Sequence, residues 1–352
     1  MEGKMKKFLS FLLAGVMLAG CGTDTSEAIP EVTAVPEEVT EEVTEAVEEV
    51  TEQAESEIDA ITAQAQEIAD STDLKILSPS GAPALSLIPA VVGGCSVDFV
   101  DGADPLQAAL VNPTPEYDII IAPSNLGMKL AESGKSPYKM LGIVTWGNLY
   151  IVGKKGTSFD PVEWTNIASF GEESVTGKVF KEVYGNSLNM DEVTWYNSTA
   201  EASAALLSGS ADVAMLAEPN ATASIAKAKE NGLDLEIIAN VQEAYAEGNG
   251  FPQAAVFVRE NAYEEKKADI DGLFALMSVF SMAAGDLDEE SIVNAIESAG
   301  GAEQFGVPNA QITAKVWKRL NIKVAPAKDH IEDLKTFGTM FGINDVESVV
   351  IG

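Results

Sequence analysis

From Leu74 to Arg259 short apolar runs, broken by Gly, Pro and Asn, alternate with segments whose apolar residues recur at helical spacing. That alternation predicts an α/β chain, because strands followed by helical segments of this length build sheets with helices packed on them. Strands are expected over 74–77, 97–100, 118–122, 149–152, 167–170, 193–196, 212–216, 235–238 and 254–258, with helices over 106–111, 124–132, 175–184, 200–207 and 221–231. Beyond Arg259 the strand pattern stops, and helices are expected over 263–284, 289–299, 311–320 and 331–341. The run from Leu273 to Ala284 is apolar but shorter than the ~18 residues a membrane span needs. Ser278 and Ser281 also interrupt it, so it reads as a buried helix.

Charge and rare residues narrow the function. Among 352 residues, 22 Lys and Arg stand against 55 Asp and Glu, a formal charge of -33. Such a chain is repelled by phosphate backbones, which excludes nucleic acid as a partner. Two cysteines support neither a disulfide framework nor an all-cysteine zinc site. The single histidine, His330, argues against histidine-based metal or triad chemistry, and neither metal nor cofactor is expected.

The amino-terminal residues read as targeting. Lys4, Lys6 and Lys7 precede an apolar run from Phe8 to Leu18, followed by small residues, which is the order of a secretory signal. The end, Leu18-Ala19-Gly20-Cys21, resembles the lipobox of bacterial lipoproteins, which implies a signal peptide over 1–20 and lipidation of Cys21. From Gly22 to Asp73 there are 17 acidic residues, no basic ones and no aromatics. Residues 21–73 therefore read as a solvated acidic stalk, partly helical in its second half, and about 75 Å long if helical throughout. Cys95, beyond it in an apolar stretch, reads as a buried, inert thiol.

In an open α/β sheet, ligands bind at loops following the carboxyl ends of strands, where helix amino termini present free amides. Those junctions supply the candidate site. The first is Ser80-Gly81-Ala82, where Gly81 permits a tight backbone. The second is Pro123-Ser124-Asn125. Then come Gly171, Glu172, Ser174 and Thr176, then Asn197 and Ser198, then Glu218. Each alone reads equally well as a helix cap or a turn.

Three stretches carry a resemblance: Ile121 to Leu126 (IAPSNL), Thr145 to Val152 (TWGNLYIV) and Leu216 to Pro219 (LAEP). SGAPA from Ser80, ALLSGSADV from Ala205 and FPQA from Phe251 fit the same order. Together they resemble ABC-transporter substrate-binding proteins of the nitrate, sulfonate, taurine and thiamine-precursor group, over nearly all of the chain from Leu74. The resemblance implies a two-lobed, type II periplasmic-binding-protein-like fold with two hinge crossings, the ligand held between the lobes. Lobe one would comprise 74–147 and 259–352, and lobe two 148–258. Trp146, Asn148, Tyr150 and Gln253, at the crossings, join the candidate ligand-binding residues. The implied protein is a lipid-anchored monomer on the outer face of the cytoplasmic membrane, delivering a small molecule to a permease with its ATPase.

Two departures bear on the ligand. Where the family often has Leu-x-Gly-Lys, this chain has Glu163-Trp164-Thr165-Asn166, and Glu172 and Glu173 occupy a loop usually richer in glycine. With only Arg259 and Arg319 present, and Arg259 expected at the surface, a guanidinium clamp on an anion is not anticipated. Trp146 and Tyr150 could stack on a flat ligand or pack at the hinge. A thiamine-precursor-like heterocycle is slightly favoured over sulfonate or nitrate. The alternatives are a ligand-sensing or adhesion surface lipoprotein and, with less support, an enzyme on the same fold.

Overall fold

The computed structural model describes residues 60–352 except Phe159, Ala246, Glu247 and Asn249. The expected signal peptide, Cys21 and the expected stalk up to residue 59 lie outside the described residues. Eleven strands are described: β1 (Lys75–Pro79), β2 (Ser96–Val100), β3 (Ile119–Pro123), β4 (Tyr138–Thr145), β5 (Leu149–Lys154), β6 (Ile167–Phe170), β7 (Val193–Tyr196), β8 (Val213–Ala217), β9 (Leu235–Asn240), β10 (Ala254–Arg259) and β11 (Ile322–Pro326). They form two sheets, in the orders β11-β4-β10-β3-β1-β2 and β7-β6-β8-β5-β9. Helices lie on both, so inner strands such as β3, with Ile119 to Ala122 all buried, are apolar on both faces.

The chain leaves the first sheet after Thr145 and enters the second at Leu149, then returns from Asn240 through the helix Val241–Ala244 to Ala254. Register shows what these crossings face. Ala254 pairs with both Pro123 and Thr145, so the ends of β3 and β4 and the start of β10 share one sheet edge. Parallel β1 sets Leu77 opposite Ile120, which brings Ser80 to the same edge. In the second sheet Leu149 pairs with Ala217, while Phe170 pairs with Tyr196, so the loops after β6, β7 and β8 all leave the edge where β5 begins. The two edges carrying the candidate loops are thus the ones joined by the crossings. One apolar cluster, including Ile120, Met140, Trp146, Leu149, Ile151 and Phe251, runs through them.

Several elements differ from expectation. β4 was not anticipated: both faces are covered, so Tyr138, Met140, Ile143 and Val144 give no alternation. Gly142 within it leaves room for the Phe274 ring, and a Cβ there would also lie 2.7 Å from the Ala325 carbonyl oxygen. Strands do not stop at Arg259. β11 pairs with β4, and the Lys267–Ala283 helix covers its outer edge: the Val324 N–H donates to Ser281 Oγ at 3.1 Å, and Ser278 Oγ donates to the Val324 carbonyl at 2.8 Å. The serines that interrupt the apolar run serve as edge caps. The helix expected over 263–284 is two, Glu260–Glu265 and Lys267–Ala283, parting at Lys266. The helix expected over 311–320 ends at Lys315, and a short 3-10 turn follows over Trp317–Leu320. The folded body also begins earlier than Leu74. Residues 60–71 are helical, and Ile61 and Ala65 are buried in a cluster with Leu85 and Phe280. Gly93 admits that helix, since a Cβ there would lie 2.5 Å from the Ala65 Cβ. Among the described residues no helix is long and apolar enough to cross a membrane.

Candidate functional site

A hydrogen-bonded belt ties the crossings together. The Ser124 N–H donates to the Gln253 carbonyl (3.1 Å), the Gln253 N–H to the Thr145 carbonyl (2.9 Å) and the Phe251 N–H to the Trp146 carbonyl (3.2 Å). Asn148 Nδ2 donates to the Glu218 carbonyl at 2.8 Å, and the Glu218 N–H returns to the Asn148 carbonyl at 2.9 Å. Gly147 turns the first crossing with φ +88°, and a Cβ there would lie 2.5 Å from the Phe251 ring. Of the expected residues, Pro123, Ser124, Asn125, Trp146, Asn148, Tyr150, Glu218 and Gln253 are brought together by this belt.

Backbone groups in the belt are paired while several side-chain oxygens are not. Ser124 Oγ, Asn125 Oδ1, Thr145 Oγ1, Asn148 Oδ1 and Gln253 Oε1 are buried and find no hydrogen-bond partner in the protein. Ser124 and Thr145 are 0% and 1% exposed. Buried polar atoms are ordinarily satisfied, because leaving one unpaired costs about 1–3 kcal/mol. Five such atoms gather at the joined sheet edges, while Ser169 Oγ and Arg259 Nε are unpaired elsewhere. Thr145 was not among the expected residues; its place in TWGNLYIV is the signal that could have found it.

Trp146 and Tyr150 are both engaged by the protein itself. Trp146 is 8% exposed, donates Nε1 to the Lys323 carbonyl (2.9 Å) and packs edge-on to His330 at 4.6 Å between centroids. Tyr150 is buried, with its hydroxyl on the Arg319 carbonyl at 3.0 Å. Burial, reinforced by the Glu218 carboxylate, pushes the Tyr150 phenol up to about 12. Both rings pack at the hinge.

The loops after β6 and β7 are largely self-satisfied. Ser174 Oγ donates to the Gly171 carbonyl (2.7 Å) and lies 2.8 Å from Thr176 Oγ1, which donates to the Phe170 carbonyl. Gly171 holds φ +65°, and a Cβ there would collide with Ser174 Oγ. Ser198 caps the Thr199–Leu207 helix by accepting from the Glu201 N–H, and the Asn197 N–H donates to Glu201 Oε2. In the first sheet, the Ser80 N–H donates to the Val100 carbonyl, the Gly81 N–H to the Phe305 carbonyl, and Ala82 is buried at the start of a short helix.

Charge near the loops is balanced. Glu172 pairs with Lys181 at 2.9 Å and Glu173 with Lys178 at 2.7 Å, the latter lowering the Glu173 carboxyl. Glu218, with a side chain 0% exposed, takes Arg319 Nε at 2.9 Å. Arg259 pairs with buried Asp118 at 2.5 Å, away from the belt. Glu172, Glu173 and Glu218 are thus each offset by a cation. Arg319 and its partner Thr222 were not anticipated, since nothing local in the sequence ties position 319 to position 218. Cys95 is half-buried, and burial raises its thiol.

No protein-family model and no curated protein matches the chain. Solved structures do. An ABC transporter protein from Parabacteroides distasonis superposes with a TM-score of 0.63 at 21% identity, over 79% of this chain and 95% of that one. The periplasmic aliphatic sulphonate binding protein SsuA from Escherichia coli gives 0.58 at 14%, over 79% and 92%. The alkanesulfonate-binding protein SsuA from Xanthomonas axonopodis pv. citri, bound to MOPS, gives 0.55 at 16%, over 79% and 97%. With its two sheets and two crossings, the chain has the α/β, periplasmic-binding-protein-like fold of these structures.

Proposed function

We propose that this protein is the extracytoplasmic, lipid-anchored solute-binding component of an ABC importer, capturing one small molecule between lobe one (74–147 with 259–352) and lobe two (148–258). The carrying observation is the set of five buried, unpartnered polar atoms on Ser124, Asn125, Thr145, Asn148 and Gln253 at the joined sheet edges. Open lobes admit the solute, closure buries it against these atoms, and the closed form docks on the permease. Anchoring rests on Cys21.

The charge balance supports an uncharged, hydrogen-bonding solute over sulfonate or nitrate. Both arginines are engaged by carboxylates, so neither is free to clamp an anion. The amide oxygen of Asn148 is fixed as an acceptor, because its Nδ2 is spent on the Glu218 carbonyl. A flat heterocycle with N–H donors, of the thiamine-precursor pyrimidine kind, answers that demand. No catalysis is assigned to the site.

Thermal unfolding of the protein against aminopyrimidines, flavins, sulfonates, nitrate and amino acids tests this. A solute at 100 times its Kd adds ~2.7 kcal/mol of stability. A shift with neutral heterocycles is expected, and a shift with sulfonates alone overturns the charge argument. If nothing shifts, and no solute is recovered from the purified protein, the sensing or adhesion reading replaces capture. Fatty-acid labelling in cells, abolished by Cys21→Ala, checks the anchor.

A further inference from the structure

Among the described residues, one ion pair joins the lobes. Arg319 lies in the 3-10 turn Trp317–Leu320, ahead of β11 in the first sheet, and Glu218 follows β8 in the second. The guanidinium forks: Nε donates to Glu218 Oε1 at 2.9 Å, and Nη2 donates to Thr222 Oγ1 at 2.8 Å. The turn itself is fixed to the first crossing. Asn321 Nδ2 donates to the Gly147 carbonyl at 2.7 Å, and the Trp146 N–H donates to the Asn321 carbonyl at 3.0 Å.

The two ends of this contact are built differently. Within lobe two, Glu218 also accepts from the Thr222 N–H (3.0 Å, Oε2) and the Thr222 hydroxyl (2.8 Å, Oε1). Those bonds are internal to one lobe and survive any movement between lobes. The Arg319 bond runs between the two lobes, so a movement that parts them at this point breaks it. Glu218 therefore keeps its shape and hydrogen bonds in either arrangement, and loses its only cation when the lobes part.

We propose that Arg319 is the positioning residue of lobe closure: its guanidinium latches onto a carboxylate that Thr222 holds ready, and so sets how far the two-lobe equilibrium lies towards closed. The proposal rests on the capture reading for its meaning, but the latch is measurable without any solute. Breaking a pair whose carboxylate is fully buried leaves that charge uncompensated, so the closed form is disfavoured. Lysine replaces this arginine only in part, because it keeps the charge but lacks the planar fork whose separate nitrogens are set for the two acceptors.

The test is electron–electron spin distance in the full chain with Cys21→Ser and Cys95→Ser, labelled through Asp101→Cys in lobe one and Lys229→Cys in lobe two, both exposed positions. Arg319→Gln is expected to lower the short-distance population about fivefold or more, the scale of a typical coupling between linked states. Arg319→Lys should fall between, and Thr222→Val should shift it less. Raising salt should open the parent protein and leave Glu218→Gln unmoved, a response a merely structural arginine would not give. Arg319 is 41% exposed in its side chain, so its replacement is compatible with folding. Identical distance distributions for the parent and Arg319→Gln overturn the latch and leave solute capture standing. Conversely, an opened Arg319→Gln in a protein that binds no solute retains the latch while capture fails.

Discussion

Ser124→Ala tests whether an unpaired side chain at the joined sheet edges serves the proposed solute. Ser124 is 0% exposed, its hydroxyl is unpaired, and its backbone N–H bond to Gln253 does not depend on the side chain. Removing a buried, unpaired hydroxyl recovers about 1–2 kcal/mol of desolvation. Alanine at the first position of the Ser124–Glu132 helix adds a few tenths at most, and the lost oxygen contacts return roughly 0.5 kcal/mol. The net expectation is a gain of about 1 kcal/mol in the unliganded protein, or roughly 2 °C in Tm for a body of this size. In the same variant, solute affinity should fall about fivefold or more, because the bound solute loses a hydrogen bond. Denaturant titration gives the first quantity and solute-dependent thermal shift the second. A variant that is less stable than the parent, or that binds equally well, refutes the idea that this edge is poised for a ligand. A stability gain purchased with lost binding is what a functional site predicts and a packing site does not.

Other parts of the fold yield further tests. Asp118 is 3% exposed and accepts from Arg259 (2.5 Å), Lys266 (2.9 Å) and the Lys75 N–H (3.3 Å), so Asp118→Ala should cost about 2–4 kcal/mol by denaturant titration, the lower end reflecting cations that are a quarter exposed. Ser281→Ala strips the Val324 N–H of its acceptor at the covered edge of β11 and should cost about 1–3 kcal/mol, with faster amide exchange at Val324. Burial raises the phenols of Tyr138, Tyr150, Tyr184 and Tyr245 from 10 to about 12. The folded chain keeps those protons at a pH where the unfolded chain has lost them, so their stabilisation is complete below pH 10 and is lost as pH rises towards 12. Phenolate absorbance and loss of near-ultraviolet dichroism should then rise together. Phenolate formation ahead of unfolding would contradict that assignment.

What could be read in the sequence follows from how locally each feature is encoded. β6 and β7 and the helices Ser124–Glu132 and Val175–Tyr184 match their expected bounds, because apolar period and capping residues lie within each segment. β4 is buried on both faces and has no period to read, and β11 is stabilised by serines some forty residues upstream. The site divides in the same way. Junction motifs pointed to Ser124, Asn125 and Glu218 and the resemblance to Asn148 and Gln253, and the structure brings these together in the belt, but no local pattern shows which charges pair. Glu172 and Glu173 find lysines in the helix that follows them, a pairing within ten residues that spacing alone permits. Glu218, after a strand of the second sheet, finds Arg319, a hundred residues on and just ahead of a strand of the first.

That separation carries the argument about specificity. A site's charge is a property of the folded contact map, not of the residues flanking its loops. If Arg319 neutralises Glu218 only in the closed form, the cleft is uncharged when it holds a solute and carries an unpaired carboxylate when it is open. Cations would then be drawn to the open cleft and rejected on closure, whereas a neutral solute meets the same belt of Ser124, Thr145, Asn148 and Gln253 in the closed form without competing for Glu218. The latch and the preference for an uncharged solute are two consequences of one ion pair, and Arg319→Gln should change both together: it opens the lobes, and it turns a cleft that discriminates against cations into one that retains them.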